Sequence, residues 1–360
     1  MTVPAFDPSE LKIVREVPSY PGAPAIPYYD FPVTMKEAYA GMLSRQPVWQ
    51  IVGMETQLFA PGINPDNIAR GFAFEGKPFN PVKEGGGKDI FGIKWEYIPE
   101  VGGSMVRPGK PFLEDANEWR EKLVWPDIES WDWEGSAKLN EKFLKTDKYV
   151  VAWFMNGWFE RLISFMDFDG AILALVDEDQ KDAVKELFDK LTDLYIRIFD
   201  KFLTYCPRID GFNEHDDWGS QRETFFAPVV VAEMIVPYMK RVTDFLHSKG
   251  KTCELHSCGQ ILKQVPNMIA AGWDCWMPQP MNDTKKIYEL YGGKIVIGVS
   301  PEPFDPATTL EEEQRAIAKA YAEAFCKADR PSLLNLSAMR LLTPAFREEL
   351  YKQSRISYGK

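Results

Sequence analysis

From residue 149 onward the sequence alternates between short apolar segments typical of buried strands and longer amphipathic segments typical of helices. Strands are predicted at 149–155, 208–213, 252–257, 273–277, 294–298 and 332–336. Helices are predicted between and after them, at 158–176, 178–205, 228–248, 260–271, after Asp283, from a capping box at 309–312 to about 327, and at 344–355. Such alternation indicates a parallel sheet. The number of units predicts an α/β fold of the (β/α)8 TIM-barrel type.

The N-terminal part departs from this repeat. Residues 1–30 contain six prolines and predict an extended arm on the surface of a single barrel domain spanning 1–360. Thr34 and Glu37 form a capping box that opens a helix to about Arg45, and a strand is predicted at 47–53. Glycine-rich residues 76–112 predict a β-hairpin excursion from the barrel.

Composition limits the partners and the compartment. The formal net charge is −11, which argues against nucleic acid and anionic membranes, because both require clustered Lys and Arg. No apolar run reaches the roughly 18 residues of a membrane helix, and no signal peptide is recognised. The five cysteines are odd in number, so a disulfide framework is not expected. We therefore expect a cytoplasmic protein.

His256 and Cys258 lie two residues apart at the end of a predicted strand. Active sites of barrels form at the carboxyl ends of the strands, and the two-residue period of a strand puts both side chains on one face. Imidazole and thiolate are a good partial ligand set for Zn²⁺, which takes three protein ligands in catalytic sites. A buried polar pair without metal is the alternative.

Residues 213–217, Asn-Glu-His-Asp-Asp, close another predicted strand. Ionisable groups there are costly to bury without a purpose. Glu214 and Asp217 are the candidates for a third zinc ligand and an acid–base group, with His215 as an alternative. A solvated loop that caps the next helix is the other interpretation.

Aromatic and apolar residues cluster near several strand ends. Most of them belong to the core, but a few are predicted to line a pocket for a flat substrate. The residues predicted to contact substrate are Met155, Trp158, Phe159, Trp218 and Trp276.

The order of these segments resembles the uroporphyrinogen decarboxylase superfamily, including its cobalamin-dependent methyltransferases, over roughly residues 35–355. The segments that carry the resemblance are Arg-Gln-Pro-Val-Trp at 45–49, Asp-Ile-Phe-Gly-Ile-Lys-Trp at 89–95, Asn-Gly-Trp-Phe-Glu at 156–160, Asp-Asp-Trp-Gly-Ser-Gln at 216–221 and Leu-His-Ser-Cys-Gly at 255–259.

Two departures narrow what the resemblance implies. The decarboxylases have Arg-Gln-Ala-Gly-Arg just after the strand that contains Pro-Val-Trp (47–49 in this chain). This chain has Gln-Ile-Val-Gly-Met-Glu there, at 50–55. The His-x-Cys-Gly element instead resembles the zinc site of the methyltransferase branch. That branch often adds a late Cys, where this chain has Asn-Leu-Ser at 335–337. The expected zinc set is therefore His256 and Cys258, completed by Glu214.

The resemblance implies methyl transfer from a small-molecule methyl ether, in particular an aryl methyl ether, to a reduced corrinoid (O-demethylation). The chain lacks the Asp-x-His-x-x-Gly motif of cobalamin carriers, so the corrinoid would arrive on a separate protein. Glu214, Asp217 and His256 are the expected catalytic residues. A homodimer is left open. The alternatives are a decarboxylase or lyase, with Asp89 or Asp217 as the acid, and a non-catalytic corrinoid- or tetrapyrrole-binding protein.

Overall fold

A computed structural model describes residues 4–17 and 25–359 of the chain. Its strands are β1 (Ile13–Val17), β2 (Ile26–Tyr29), β3 (Thr56–Phe59), β4 (Gly87–Lys88), β5 (Lys94–Ile98), β6 (Gly103–Val106), β7 (Tyr149–Met155), β8 (Gly211–His215), β9 (Thr252–His256), β10 (Cys275–Trp276), β11 (Val296–Val299) and β12 (Ser332–Leu334).

The α-helices are α1 (Met35–Leu43), α2 (Pro65–Ala69), α3 (Pro81–Glu84), α4 (Trp119–Lys122), α5 (Trp133–Asn140), α6 (Trp158–Ala174), α7 (Lys181–Tyr205), α8 (Pro228–Met234), α9 (Val236–Ser248), α10 (Val265–Ala270), α11 (Thr284–Tyr291), α12 (Glu311–Phe325) and α13 (Pro344–Tyr358). Parallel strands alternate with helices along the second half of the chain, which confirms the predicted α/β fold of the TIM type.

Two compact units make up the chain. The central unit comprises Leu58–Thr146 and Val150–Trp273, and the terminal unit comprises Met1–Gln57, Asp147–Tyr149 and Asp274–Lys360. The prediction of one domain over the whole chain stays a prediction.

In the central unit, β7, β8 and β9 are parallel neighbours in that order. Their side chains alternate between two faces. One face packs against α7, where Phe154 and Phe212 both make edge-on contacts with Phe199. The opposite face carries Trp153 and His215. This alternation decides which polar side chains of the strand ends can meet.

The predicted β excursion is an antiparallel sheet in the order β4-β5-β6 within the central unit. Fully buried Arg161 of α6 makes ion pairs with Asp66 of α2 and with Asp89, which precedes β5. Asp89 also accepts hydrogen bonds from the backbone N–H groups of Phe91 and Ile93. Breaking a buried pair of this kind costs about 3–5 kcal/mol, so Arg161 is a main anchor of this region.

In the terminal unit, β10, β11 and β12 are parallel neighbours, and α12 and α13 pack on each other. The N-terminal arm contains the antiparallel pair β1–β2. Buried Glu10, which precedes β1, forms an ion pair of 2.8 Å with Arg355 of α13. The arm is thus tied to the last helix by a buried charge pair.

Several local predictions are confirmed. The Thr34–Glu37 capping box opens α1, with the Thr34 hydroxyl accepting the Glu37 N–H at 3.1 Å. Asp283 caps α11 in the same manner by accepting the Lys286 N–H at 3.0 Å. β7 has the predicted bounds. These signals are local in sequence, which is why they could be recognised there.

Three local predictions are wrong. No regular strand forms at 47–53, because the N–H groups of Gln50 and Val52 donate to side-chain oxygens of Ser354 and Glu55. Leu310, and not Thr309, is the N-cap of α12. The helix predicted at 228–248 is broken at Ile235 into α8 and α9, with a proline in the first turn of α9.

Within the described residues, no helix is long and apolar enough to cross a bilayer. All five cysteines lie in this part of the chain, and none of them forms a disulfide.

Candidate metal and active site

The carboxyl ends of β7, β8 and β9 bring three side chains into one row. In the parallel register Met155 is opposite His215, and His215 is opposite His256. The two imidazole rings are stacked with their centroids 4.7 Å apart and their planes 15° from parallel. These side chains therefore lie together at the carboxyl ends of the strands, where barrels form their active sites.

The loops after β8 and β9 add Asp217 and Cys258 to this edge. The Asp217 carboxylate accepts the backbone N–H of Cys258 at 2.7 Å, and Gln260 donates its N–H to the Ser220 carbonyl at 2.7 Å. Gly259 has a φ of +97°, and a Cβ there would lie 2.3 Å from the backbone of Gly219. Only glycine permits this close approach of the two loops.

Three of these residues have the composition and spacing of a metal site. One ligand atom each of His215, Asp217 and His256 lie within 4.8 Å of one another. The Cys258 Sγ is 3.3 Å from Nε2 of His256 and adds a fourth donor beside them. We name His215, Asp217, His256 and Cys258 the strand-end cluster. Imidazole, carboxylate and thiolate are the ligand types that Zn²⁺ takes in proteins.

Glu160 and Arg70 support His215 from behind. Oε2 of Glu160 is 2.6 Å from Nδ1 of His215, while Oε1 is 3.1 Å from the Arg70 guanidinium. Arg70 also donates to the Asn156 side chain at 3.0 Å. Engaging Nδ1 leaves Nε2 of His215 for a ligand, which is the carboxylate–histidine arrangement that orients metal-binding imidazoles.

The charges of this group follow from burial and pairing. Burial alone would raise the pKa of Glu160, but Arg70 and His215 outweigh it and lower that pKa to about 2. Burial would lower the pKa of His215, but the Glu160 carboxylate outweighs it and raises that pKa. Burial and the neighbouring His215 lower the pKa of His256 to about 3, so His256 is neutral and able to bind a metal.

Asp216, between the two candidate acids, has a structural task. Its fully buried carboxylate accepts the backbone N–H groups of Glu160 at 2.8 Å and Phe159 at 3.3 Å, at the start of α6. It also accepts the indole N–H of Trp218 at 2.9 Å. Asp216 thereby joins the end of β8 to the helix that carries Glu160.

The residues predicted from sequence separate into two groups. His256, Cys258 and Asp217 come together, and the alternative His215 joins them. Glu214 does not, because it lies on the opposite face of β8 from His215. Both of its carboxylate oxygens are buried without a hydrogen-bond partner, and burial raises its pKa well above the usual value. Its roles as zinc ligand and acid stay predictions.

Asp89, the other acid considered from sequence, is committed to structure. Its buried carboxylate pairs with Arg161 at 2.9 Å and accepts the indole N–H of Trp95 at 3.0 Å. It lies outside the strand-end cluster.

The five predicted substrate contacts are buried in the structure. Trp158 donates its indole N–H to Thr192 at 3.1 Å, and that of Trp218 is used by Asp216. Their roles in substrate binding stay predictions. The exposed fractions are 4% for Met155 and 0% for Trp158, Phe159, Trp218 and Trp276.

Two other polar side chains next to the cluster are incompletely satisfied. The Trp153 ring lies 5.2 Å from that of His256, and its buried indole N–H has no hydrogen-bond partner. Asn213, which shares a strand face with His215, has a buried Oδ1 without a partner. Buried polar atoms are nearly always paired in native proteins, so these two atoms are exceptions beside the cluster.

Sequence reasoning did not identify Arg70 or the role of Glu160. Glu160 occurs in a segment that carried the family resemblance, but its contact with His215 joins residues 55 positions apart. Arg70 follows the short helix α2 and has no motif around it. Neither contact has a local signal in the sequence.

No protein-family model matches the chain, and no curated protein matches its sequence. Among solved structures, a methyltransferase from Methanosarcina mazei is similar, with a TM-score of 0.57 and 16% sequence identity. The match covers 90% of this chain and 98% of that one. At this identity the likeness shows that the two chains share a fold.

Proposed function

We propose that this protein is a methyltransferase that moves a methyl group from a methyl ether, in particular an aryl methyl ether, to the cobalt of a corrinoid held by a separate protein. The observation that carries the proposal is the strand-end cluster, backed by Glu160 at a 2.6 Å contact with His215. The fold shared with a methyltransferase and the family resemblance of the sequence support it.

The reaction needs help at the leaving oxygen. The carbon–oxygen bond of the donor breaks, its electron pair stays on oxygen, and the methyl group passes to the reduced cobalt of the acceptor substrate. A phenolate leaves poorly, because its conjugate acid has a pKa of about 10. The protein must therefore stabilise negative charge on that oxygen or provide a proton for it.

The donor set of the cluster fits Zn²⁺. His215, Asp217 and His256 would hold the metal, with the Cys258 thiol beside His256 as a further donor. When bound, Zn²⁺ supplies Lewis-acid polarisation of the leaving oxygen. Glu160 orients His215 through its contact with Nδ1.

Without a metal, Asp217 is the acid best placed for the leaving oxygen, because its carboxyl group lies beside the two histidines. Burial raises the pKa of Asp217, which favours its protonated form. The decarboxylase alternative would be favoured by a free cation beside the cluster. Arg70 is the cation next to Glu160, and it is already bound by Glu160 and Asn156.

Zinc binding gives the first test. After chelation and dialysis, the wild-type protein should take up one zinc per chain, while His215→Ala and His256→Ala should lose it. Asp244→Ala, which removes an exposed carboxylate of α9 paired with Lys240, is the matched control and should bind zinc normally. Zinc content is measured by elemental analysis after gel filtration. Failure of the wild type to bind zinc would remove the metal from the proposal.

Methyl transfer gives the second test of the same proposal. The protein is mixed with 2-methoxyphenol and chemically reduced cobalamin, and methylcobalamin is followed by its visible absorbance. The zinc-loaded wild type should form it, and the two cluster variants should not. Release of CO₂ from an aromatic acid, without methyl transfer, would instead favour the decarboxylase. Full activity in metal-free wild type would leave a methyltransferase without a zinc role.

A further inference from the structure

A side cavity of about 370 Å³ lies between the β5–β6 strands and α6, wholly within the central unit. Trp95 and Met105 line it from the sheet, and Ile163 and Phe168 line it from α6. Its volume is at the lower end of the roughly 300–1,000 Å³ of ligand pockets, which suits a single substituted ring. The aromatic and thioether side chains favour a flat ligand.

The side cavity adjoins the strand-end cluster through one residue. Glu160 lines the cavity, and its carboxylate is the group that contacts His215. Arg70 also lines the cavity, with its guanidinium 4.9 Å from the centre of the Trp95 ring. A ligand seated there is separated from His215 by a single carboxylate.

The charges of the cavity lining are already compensated. Arg70 is paired with Glu160 at 3.1 Å and bonded to Asn156 at 3.0 Å. Asp167, the third charged lining residue, accepts the backbone N–H of Gly109 at 2.7 Å. The lining therefore has one cation, already committed, and two anions. This balance favours a neutral ligand over a carboxylate.

Ser104 of β6 provides the polar contact. Ser104 lines the cavity, and its Oγ is buried without a hydrogen-bond partner. Rotation about the Cα–Cβ bond to another staggered rotamer would turn this hydroxyl toward the cavity. A hydroxyl both donates and accepts, so it can bond an ether or phenol oxygen. A buried hydroxyl without a partner is unfavourable, and a ligand oxygen would remove that cost.

We propose that the side cavity binds the ring of a neutral methoxylated arene, with Ser104 as its hydrogen-bond partner, and that the β4–β6 sheet determines donor specificity. This inference rests on the proposed function for the identity of the ligand. It assigns the aromatic subsite to the β excursion and α6 instead of to the buried tryptophans of the strand ends.

Binding by the full-length protein tests the inference without requiring turnover. Isothermal titration calorimetry should show that 2-methoxyphenol binds more tightly than 3-methoxybenzoate. Ser104→Ala should weaken binding of 2-methoxyphenol by roughly 2–10-fold, the usual net effect of one neutral hydrogen bond. Ile163→Phe, which fills the cavity, should weaken it further.

Val101→Trp is the matched control, because it adds a large side chain to the exposed turn between β5 and β6, outside the cavity lining. It should bind 2-methoxyphenol like the wild type. Tighter binding of the benzoate, or unchanged binding in Ser104→Ala and Ile163→Phe, would overturn the inference. If Ile163→Phe misfolds, Ser104→Ala still tests the inference, because it is a small change.

The two proposals fail separately. If methyl transfer occurs but its KM for 2-methoxyphenol is unchanged in both cavity variants, the side cavity is not the donor site and the methyltransferase stands. If the cavity variants lose binding but no methyl transfer is found with the wild type, the arene site stands and the methyltransferase does not.

Discussion

Glu160 shows how one side chain can link several parts of a site. It accepts a hydrogen bond from Arg70 and contacts His215. It lies in the first turn of α6, where its backbone N–H donates to the Asp216 carboxylate. Its negative charge keeps the His215 pKa high despite burial. The role of Glu160 is therefore to orient His215 through its contact with Nδ1.

Replacing that charge gives a residue-scale prediction. In metal-free Glu160→Gln, the largest influence that opposes the burial of His215 is lost and only Asp217 still opposes it, so the His215 pKa should fall from its wild-type value. The pKa is measured by NMR titration of the imidazole protons. Zinc affinity of the variant should fall by about 10–100-fold, as for other residues that support metal ligands.

Glu233→Gln is the control for Glu160→Gln, because Glu233 is an exposed residue of α8 paired with Lys185. In Glu233→Gln, the pKa of His215 and the affinity for zinc should equal those of the wild type. An unchanged His215 pKa in Glu160→Gln would show that the contact does not govern the imidazole.

At the scale of elements, the start of α6 depends on close packing against the end of β8. Asn156 has a φ of +63°, and Gly157 follows as the N-cap of the helix. A Cβ on Gly157 would lie 2.5 Å from the Cβ of Asp216. The turn thus brings Asp216 onto the helix N-terminus, where its carboxylate replaces a local capping side chain.

Gly157→Ala should therefore loosen this junction. The added methyl group must displace Asp216, and overpacking of this kind costs about 1–3 kcal/mol. The urea midpoint should fall, and zinc affinity should fall with it because Glu160 moves with α6. Gly293→Ala, where a Cβ would have no atom within 4 Å, should leave both unchanged. Equal midpoints for the two variants would contradict this account.

At the scale of the whole molecule, buried acids connect stability to pH. Burial raises the pKa of Asp216 from 3.8 to about 7 and that of Asp66 to about 6. An acid with a raised pKa in the folded state stabilises the fold below its unfolded pKa, and this stabilisation is lost as the pH rises through the folded pKa. For Asp216 the window extends from about pH 4 to about pH 7.

The comparison with Asp216→Asn isolates this effect in metal-free protein. The urea midpoint of the wild type relative to the variant should decrease as the pH rises from 4.5 to 7.5, since only the wild type loses a proton from this position. Asp200→Asn, which removes an exposed ion pair of α7, is the control, and its urea midpoint should change with pH as that of the wild type does. A wild-type advantage that stays constant over this pH range would show that Asp216 is ionised throughout.

Most of the local structure of the molecule could be predicted from the sequence. The bounds of β7, the Thr34–Glu37 capping box and the alternation of strands and helices were recognisable because each depends on residues a few positions apart. The wrong prediction of a strand at 47–53 results instead from a distant contact. Gln50 and Ser354, whose contact replaces a strand hydrogen bond, are 304 positions apart, so nothing near Gln50 reveals it.

For the site, the sequence by itself determined that histidine, cysteine and acidic residues stand at the ends of neighbouring strands. The tertiary structure decided which of them meet: the two-residue period of β8 turns His215 toward His256 and Glu214 toward the helices. It also brought in Arg70 and Glu160, which no motif marks. The physical reason is that strand register and helix packing set distances between side chains, whereas a motif reports only which side chains are available.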